Sequence, residues 1–160
     1  MGLSVALIEP QIPPNTGNIV RLCAATDTPL HLIGEPGFRL DDPSLIRAGL
    51  HYWHDVDIWP HPLWSDFRSA ICRERCLYFS SHGARSYLDA PFRDNAVLVF
   101  GNETGGLPVA VRDKYPDCTF RIPMSGSVRC LNLATAVGIV LYEGIRKLNI
   151  RLDQPIDQTG

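Results

Sequence analysis

The chain has 160 residues, enough for one domain with a sizeable core, and its net charge of −2 excludes an overall basic field as the means of drawing in nucleic acid. All but Lys114 and Lys147 of the 15 basic residues are arginine, the side chain suited to bidentate contacts with phosphate or carboxylate. Five cysteines, at 23, 72, 76, 118 and 130, show no paired metal spacing and are odd in number, so reduced thiols and no metal are expected. The absence of a run of about 18 apolar residues, or of a charged-then-apolar leader, leaves a cytoplasmic protein with no membrane segment as the default expectation.

Leu3 to Ile8 is an apolar strand, stopped by Pro10, Pro13 and Pro14. Asn15, Thr16 or Asn18 is placed to cap a helix running to about Thr26, with Arg21 one turn in. Leu30 to Ile33 is a second strand, and Asp42-Pro43 opens a short helix to about Ala48. A strand over Val56 to Trp59 and a helix over Pro62 to Arg73 follow. Cys76 to Ser80 is a strand leading into the polar loop Ser81 to Pro91. Ala96 to Phe100 is the clearest strand in the chain, followed by the glycine-rich loop Gly101 to Leu107 and a short helix with Pro108 at its first position. Thr119 to Ile122 is the last strand, and Asn132 is placed to cap the last helix. Leu133, Ala136, Val137, Val140, Leu141, Gly144, Ile145 and Leu148 give that helix one apolar face. Its opposite face, with Ala134, Gly138, Ile139 and Tyr142, is apolar too, which implies cover by a second subunit. Residues 1–150 read as a single domain and residues 151–160 as a loose polar tail.

Strands alternate with helices, and the clearest strands are continuous apolar runs. The fold class is therefore α/β, a mostly parallel sheet with helices on both faces. Such sheets bind ligands beyond the carboxyl ends of their strands, which selects four loops: Glu9 to Asn18, Ser80 to Pro91, Gly101 to Leu107 and Pro123 to Leu131. Neither GxGxxG after the first strand nor GxxxxGK[ST] is present, so neither a standard dinucleotide fold nor a P-loop is supported. Glu103, the only acid in its loop, could meet a cation, a hydroxyl or an amine, or could be a solvated turn residue. Arg21 could hold a phosphate or sit on the surface. His51, His54 and His61 look like a cluster, but only His51 and His54 have i, i+3 spacing and no third metal ligand is evident; Tyr52 and Trp53 read as packing or rim residues, with base stacking open to any that are exposed.

Three ordered stretches resemble the three motifs of the SPOUT superfamily of RNA methyltransferases: NTGNIVR at 15–21, LVFGNETGGLP at 98–108 and RIPMSGSVRCLNLATAV at 121–137. EPQIPPNTGNIVRLCAAT and RAGLHYWH (47–54) narrow the likeness to the TrmL (YibK-like) tRNA (cytidine/uridine-34)-2′-O-methyltransferases, over residues 3 to 149.

The resemblance implies an α/β sheet with a C-terminal deep trefoil knot, an exception that no pattern rule proposes. It implies a homodimer that methylates the wobble ribose of tRNA with S-adenosyl-L-methionine, the anticodon arm being the substrate. It makes Arg21, Glu103 and Asn132 the catalytic positions. Phe79, Ser80, Gly101, Glu103, Gly106, Ile122, Met124, Cys130 and Leu131 would bind the cofactor, many through backbone. Asn15, Asn18, Arg21, Arg129 and Tyr142 would face the RNA. Arginine is effectively always protonated, so Arg21 suits gripping a phosphate or an emerging alkoxide better than acting as a base. Asn132 could orient the hydroxyl or the loop, and Glu103 the cofactor or Arg21. One departure stands out: Cys130 occupies the place of the serine frequent in Arg-Ser-x-Asn. With an acidic net charge, RNA binding would fall to a local patch drawn from Arg21, Arg47, Arg85 and Arg129.

Overall fold

The computed structural model describes residues 2–153. Strand β1 (Ser4–Ile8) is buried throughout; Val5 and Leu7 enter one hydrophobic cluster, Ala6 and Ile8 another. Side chains alternate across a strand, so a continuous apolar run needs cover on both faces. Helix α1 (Pro13–Thr26), β2 (Leu30–Ile33), α2 (Pro43–Ala48), β3 (Ile58–His61) and α3 (Trp64–Ala70) follow. Then come β4 (Cys76–Phe79), β5 (Arg85–Ser86), β6 (Val97–Phe100), α4 (Val109–Lys114), β7 (Thr119–Arg121) and α5 (Leu133–Lys147). The strands form one sheet in the order β3-β2-β1-β6-β4-β7-β5, and every pairing is parallel.

Helices α1 and α5 cover one face with Ile19, Val20, Cys23, Val137, Val140 and Leu141; Phe67 of α3 and Val111 of α4 belong to the cluster on the other. Each fully buried aliphatic side chain of β1 stabilises this packing by about 1.5–3 kcal/mol. Residues 80–84 carry the chain from β4 to β5, which flank β7 on either side. They cross β7 closely: a Cβ on Gly83 would lie 2.4 Å from the Phe120 carbonyl carbon.

Most elements fall where the sequence places them, with physical reasons for the exceptions. α1 starts at Pro13, so Asn15, Thr16 and Asn18 lie inside its first turns and do not cap it. Pro13 and Pro14 lack N–H groups and have a helical φ, which suits them to the first helical positions. β3 is displaced two residues toward His61, because a 3-10 turn over Leu50–Asp55 uses the preceding chain. The helix expected over Pro62 to Arg73 keeps only Trp64–Ala70. Pro108 is the N-cap of α4, one position before its first residue. β5 was hidden in a polar loop; two residues are too short for a periodic signal. Of the expected tail, Leu152 packs against the core, and residues 154–160 lie outside the described residues.

Candidate active site

β1, β6, β4 and β7 are neighbours in the sheet, so the four loops leaving their carboxyl ends lie side by side. From β1 the chain continues to β2 and β3 on one side, while β6, β4 and β7 lie on the other, and that switch point is where open parallel sheets hold ligands. Phe79 and Phe100 end β4 and β6, and Phe120 lies in β7; their rings pack together at 5.3 and 6.2 Å from Phe79 beneath the loops.

Glu103 reaches across this edge. Its Oε2 accepts from the Gln11 backbone N–H at 2.8 Å, and its Oε1 accepts from the Ile12 N–H at 3.1 Å and from Asn15 Nδ2 at 3.3 Å. The N-cap of α1 is Ile12, whose side chain cannot accept, and the first helical residues are proline. Glu103 therefore supplies from another loop the anionic partner that a helix N-terminus favours. The chain of contacts continues: Asn132 Nδ2 donates to Asn15 Oδ1 at 2.9 Å, while Asn132 Oδ1 accepts from the Thr135 N–H and caps α5. One line of hydrogen bonds thus joins all three sequence motifs. It also occupies them. Asn15, expected to touch substrate, is buried, with both ends of its amide engaged. No hydrogen bond or ion pair among the described residues links Glu103 to Arg21.

Arg21 is the catalytic candidate left free. It is exposed on α1, three residues beyond exposed Asn18 and so on the same helix face. No carboxylate among the described residues lies within 4.0 Å of it; its guanidinium carbon instead sits 5.8 Å from the centre of the Tyr52 ring. Tyr52, read as a packing or rim residue, is brought to Arg21 by the packing of the 3-10 turn Leu50–Asp55 on α1, and His51 lies against Tyr52. Nothing in the local sequence could have signalled that pairing.

The cofactor candidates form two groups. Gly101 is buried against its own loop: a Cβ there would lie 1.9 Å from the Gly106 carbonyl carbon, and Gly106 takes φ +64. Asn102 Oδ1 accepts from the Thr104 and Gly105 N–H groups, and Asn102 pairs with Gly106, closing a tight turn. Ser80 Oγ accepts from the His82 N–H beside it. In the second group Ile122 and Leu131 are half-buried, while Met124, Arg129 and Cys130 are exposed. Residues 123–131 make no hydrogen bond with any described residue. A loop with free backbone donors and acceptors at this edge fits an adenine-bearing methyl donor read through main-chain groups. Among the described residues no group of three or more His, Cys, Asp or Glu side chains could hold a metal ion, and all five cysteines are free.

Tyr142 lies 48% exposed on the outer side of α5, with Gly138 and Ile139 half-buried near it. No helix among the described residues is long and apolar enough to cross a membrane.

The model of the SpoU rRNA Methylase family matches residues 2–142. The chain is 40% identical over 144 residues to a tRNA (cytidine(34)-2'-O)-methyltransferase of Methylovorus glucosotrophus, covering 89% of this chain and 94% of that protein. A solved structure described as "Structural insights into the 2-OH methylation of C/U34 on tRNA" superposes with a TM-score of 0.87 at 46% identity, covering 93% of this chain and 97% of the other. An AdoMet-bound rRNA methyltransferase from Sinorhizobium meliloti superposes with a TM-score of 0.81 at 28% identity, covering 92% of this chain and 57% of that one. With its parallel sheet, its four clustered loops and these matches across nearly its whole length, the chain belongs to the SpoU methylase family.

Proposed function

We propose that this chain transfers a methyl group from S-adenosyl-L-methionine to the ribose 2′-hydroxyl of the wobble nucleotide, position 34, of tRNA, as the relatives' names describe for those proteins. The observation that best supports the reading is the hydrogen-bonded line Glu103–Asn15–Asn132, which gathers the three motifs at one edge and leaves Arg21 free beside them. The Gly101–Leu107 turn and the loop over residues 122–131 would hold the cofactor, whose sulfonium supplies an electrophilic methyl group.

The protein's part is to align and desolvate the hydroxyl. A guanidinium has five N–H donors and no acceptor, so Arg21 does not take the hydroxyl proton, which passes to water as the methyl–sulfur bond breaks and the methyl–oxygen bond forms. It grips the phosphate next to the reacting ribose and stabilises negative charge as it grows on the 2′-oxygen. Glu103, Asn15 and Asn132 are positioning residues: they fix the start of α1, and with it Arg21, against the cofactor loops. Asn18 and Arg129, both exposed, and Tyr142 on α5 face the RNA. Cys130 acts through its backbone, since its thiol has no partner among the described residues.

The active form is a homodimer in which a second copy covers the outer face of α5 and the exposed loop over residues 123–131. The uncovered Tyr142 and the exposed Met124 and Val128 favour this. A deep trefoil knot follows if β7 and the chain beyond it pass beneath the 80–84 crossing, which the packing of Gly83 on Phe120 favours. The anticodon arm is the substrate, and the reaction belongs to the cytoplasm.

The test is methyl transfer from labelled S-adenosyl-L-methionine to tRNA lacking wobble ribose methylation, followed by nucleoside mapping. Label in 2′-O-methylcytidine or a 2′-O-methyluridine derivative at position 34 is the expected result. Label elsewhere in tRNA, or only in rRNA, moves the substrate, and no label with cofactor still bound refutes the catalytic reading.

A further inference from the structure

Resting on that reading, we propose that His51 is the stacking platform for an unpaired nucleobase of the RNA beside the reacting ribose. Arg21, Tyr52 and His51 form one stack. The Arg21 guanidinium carbon lies 5.8 Å from the Tyr52 ring centre, and the His51 and Tyr52 rings are 4.1 Å apart, tilted by 41°. Consecutive residues of a helical turn normally point apart, so ring contact between residues 51 and 52 is a particular local arrangement. Tyr52 is half-buried in the middle of the stack, and His51 is exposed at its outer end.

The stack is rigidly mounted. Gly49 abuts α1 so tightly that a Cβ on it would lie 2.3 Å from the Gly17 carbonyl oxygen and 3.1 Å from Arg21 Cβ. The Tyr52 N–H donates to the Gly49 carbonyl at 3.0 Å, and Trp53, the next residue, packs against the main core. Backbone contact therefore fixes the turn that carries Tyr52 and His51 against α1.

Chemistry selects the ligand. Single-stranded RNA is held by stacking its bases on aromatic rings while arginines take the phosphates. Within one nucleotide the 2′-hydroxyl, the phosphate and the base lie a few bonds apart. A phosphate at Arg21 therefore brings a neighbouring base to the exposed end of its own stack. Stacking tolerates any base, so the platform serves cytidine and modified uridine alike.

The test compares His51→Ala with His51→Phe, tRNA being varied at saturating S-adenosyl-L-methionine. His51→Ala is expected to raise KM for tRNA about tenfold, within the range measured for one stacked base. The loss is confined to KM and is the same for cytidine and uridine substrates, and His51→Phe restores KM to within about twofold of wild type. An unchanged KM in His51→Ala overturns the proposal, and so does a His51→Phe as impaired as His51→Ala. A wild-type chain that methylates no tRNA refutes the proposed function separately. The platform is then read without chemistry, from a single-stranded RNA carrying a fluorescent purine analogue. Quenching on binding that His51→Phe keeps and His51→Ala loses supports it, and quenching equal in all three chains overturns it.

Discussion

Arg21 and Glu103 are both motif residues, yet their surroundings assign them opposite consequences. The Arg21 side chain is exposed and makes no hydrogen bond with the described residues, so Arg21→Ala is expected to leave the thermal midpoint within about 1 °C. The same change should lower kcat on tRNA by about 100-fold or more, since it removes preorganised charge at the reacting oxygen. Parallel melting curves and single-turnover rates check both halves. Glu103→Ala strands two backbone N–H groups and the Asn15 amide, at a cost of about 1–3 kcal/mol. It should lower the melting temperature by several degrees, with calorimetry as the measurement. The motifs single out Arg21, and with it Glu103 and Asn132. What they could not reveal was that Asn15 bridges the other two: its partners lie 88 and 117 residues away, and no local pattern reports such contacts.

At the scale of elements, legibility followed the length and periodicity of each segment. β1, β2, β4, β6 and α5 stand close to their read positions because they are long apolar runs or full helical repeats. The start of α1 escaped because its cap comes from another loop, and β5 because two residues carry no period. A buried pair across β2 and β3 also went unread: His31 Nδ1 and His61 Nε2 lie 2.9 Å apart, with Phe67 edge-on to both rings. Burial, with smaller contributions from His61 and Arg75, lowers the His31 pKa to about 4, and burial lowers that of His61 too. The unfolded chain then binds protons that the folded one refuses. The stabilisation is complete above the unfolded value near 6.5 and is lost as pH falls toward 4, at about 3 kcal/mol for His31. Urea midpoints should therefore drop between pH 7 and pH 4.5, and His31→Asn should flatten that dependence even where it lowers stability at pH 7.

For the whole molecule, the α/β class and a mostly parallel sheet were readable because continuous apolar strands need cover on both faces; that every pairing is parallel was not. Strand order was not readable: β6 lies between β1 and β4 through long-range pairing alone. The outer face of α5 gives the prediction at this scale. Ile139→Glu, set on the side away from Val137 and Leu141, is expected to convert a dimer into a monomer and to abolish methyl transfer. Sedimentation velocity with a parallel activity assay checks this, and a wild-type chain that is monomeric at micromolar concentration contradicts the dimeric site.

The line from Glu103 through Asn15 to Asn132 also sets a timetable. The first turn of α1 is made well before its partners: its anionic partner follows Asn15 by 88 residues and its last bridge by 117. A nascent or truncated chain that ends before Glu103 can build β1 to β3 and still lack every partner that fixes the start of α1. On the proposed function, the start of α1 is therefore set only once the chain has reached Asn132.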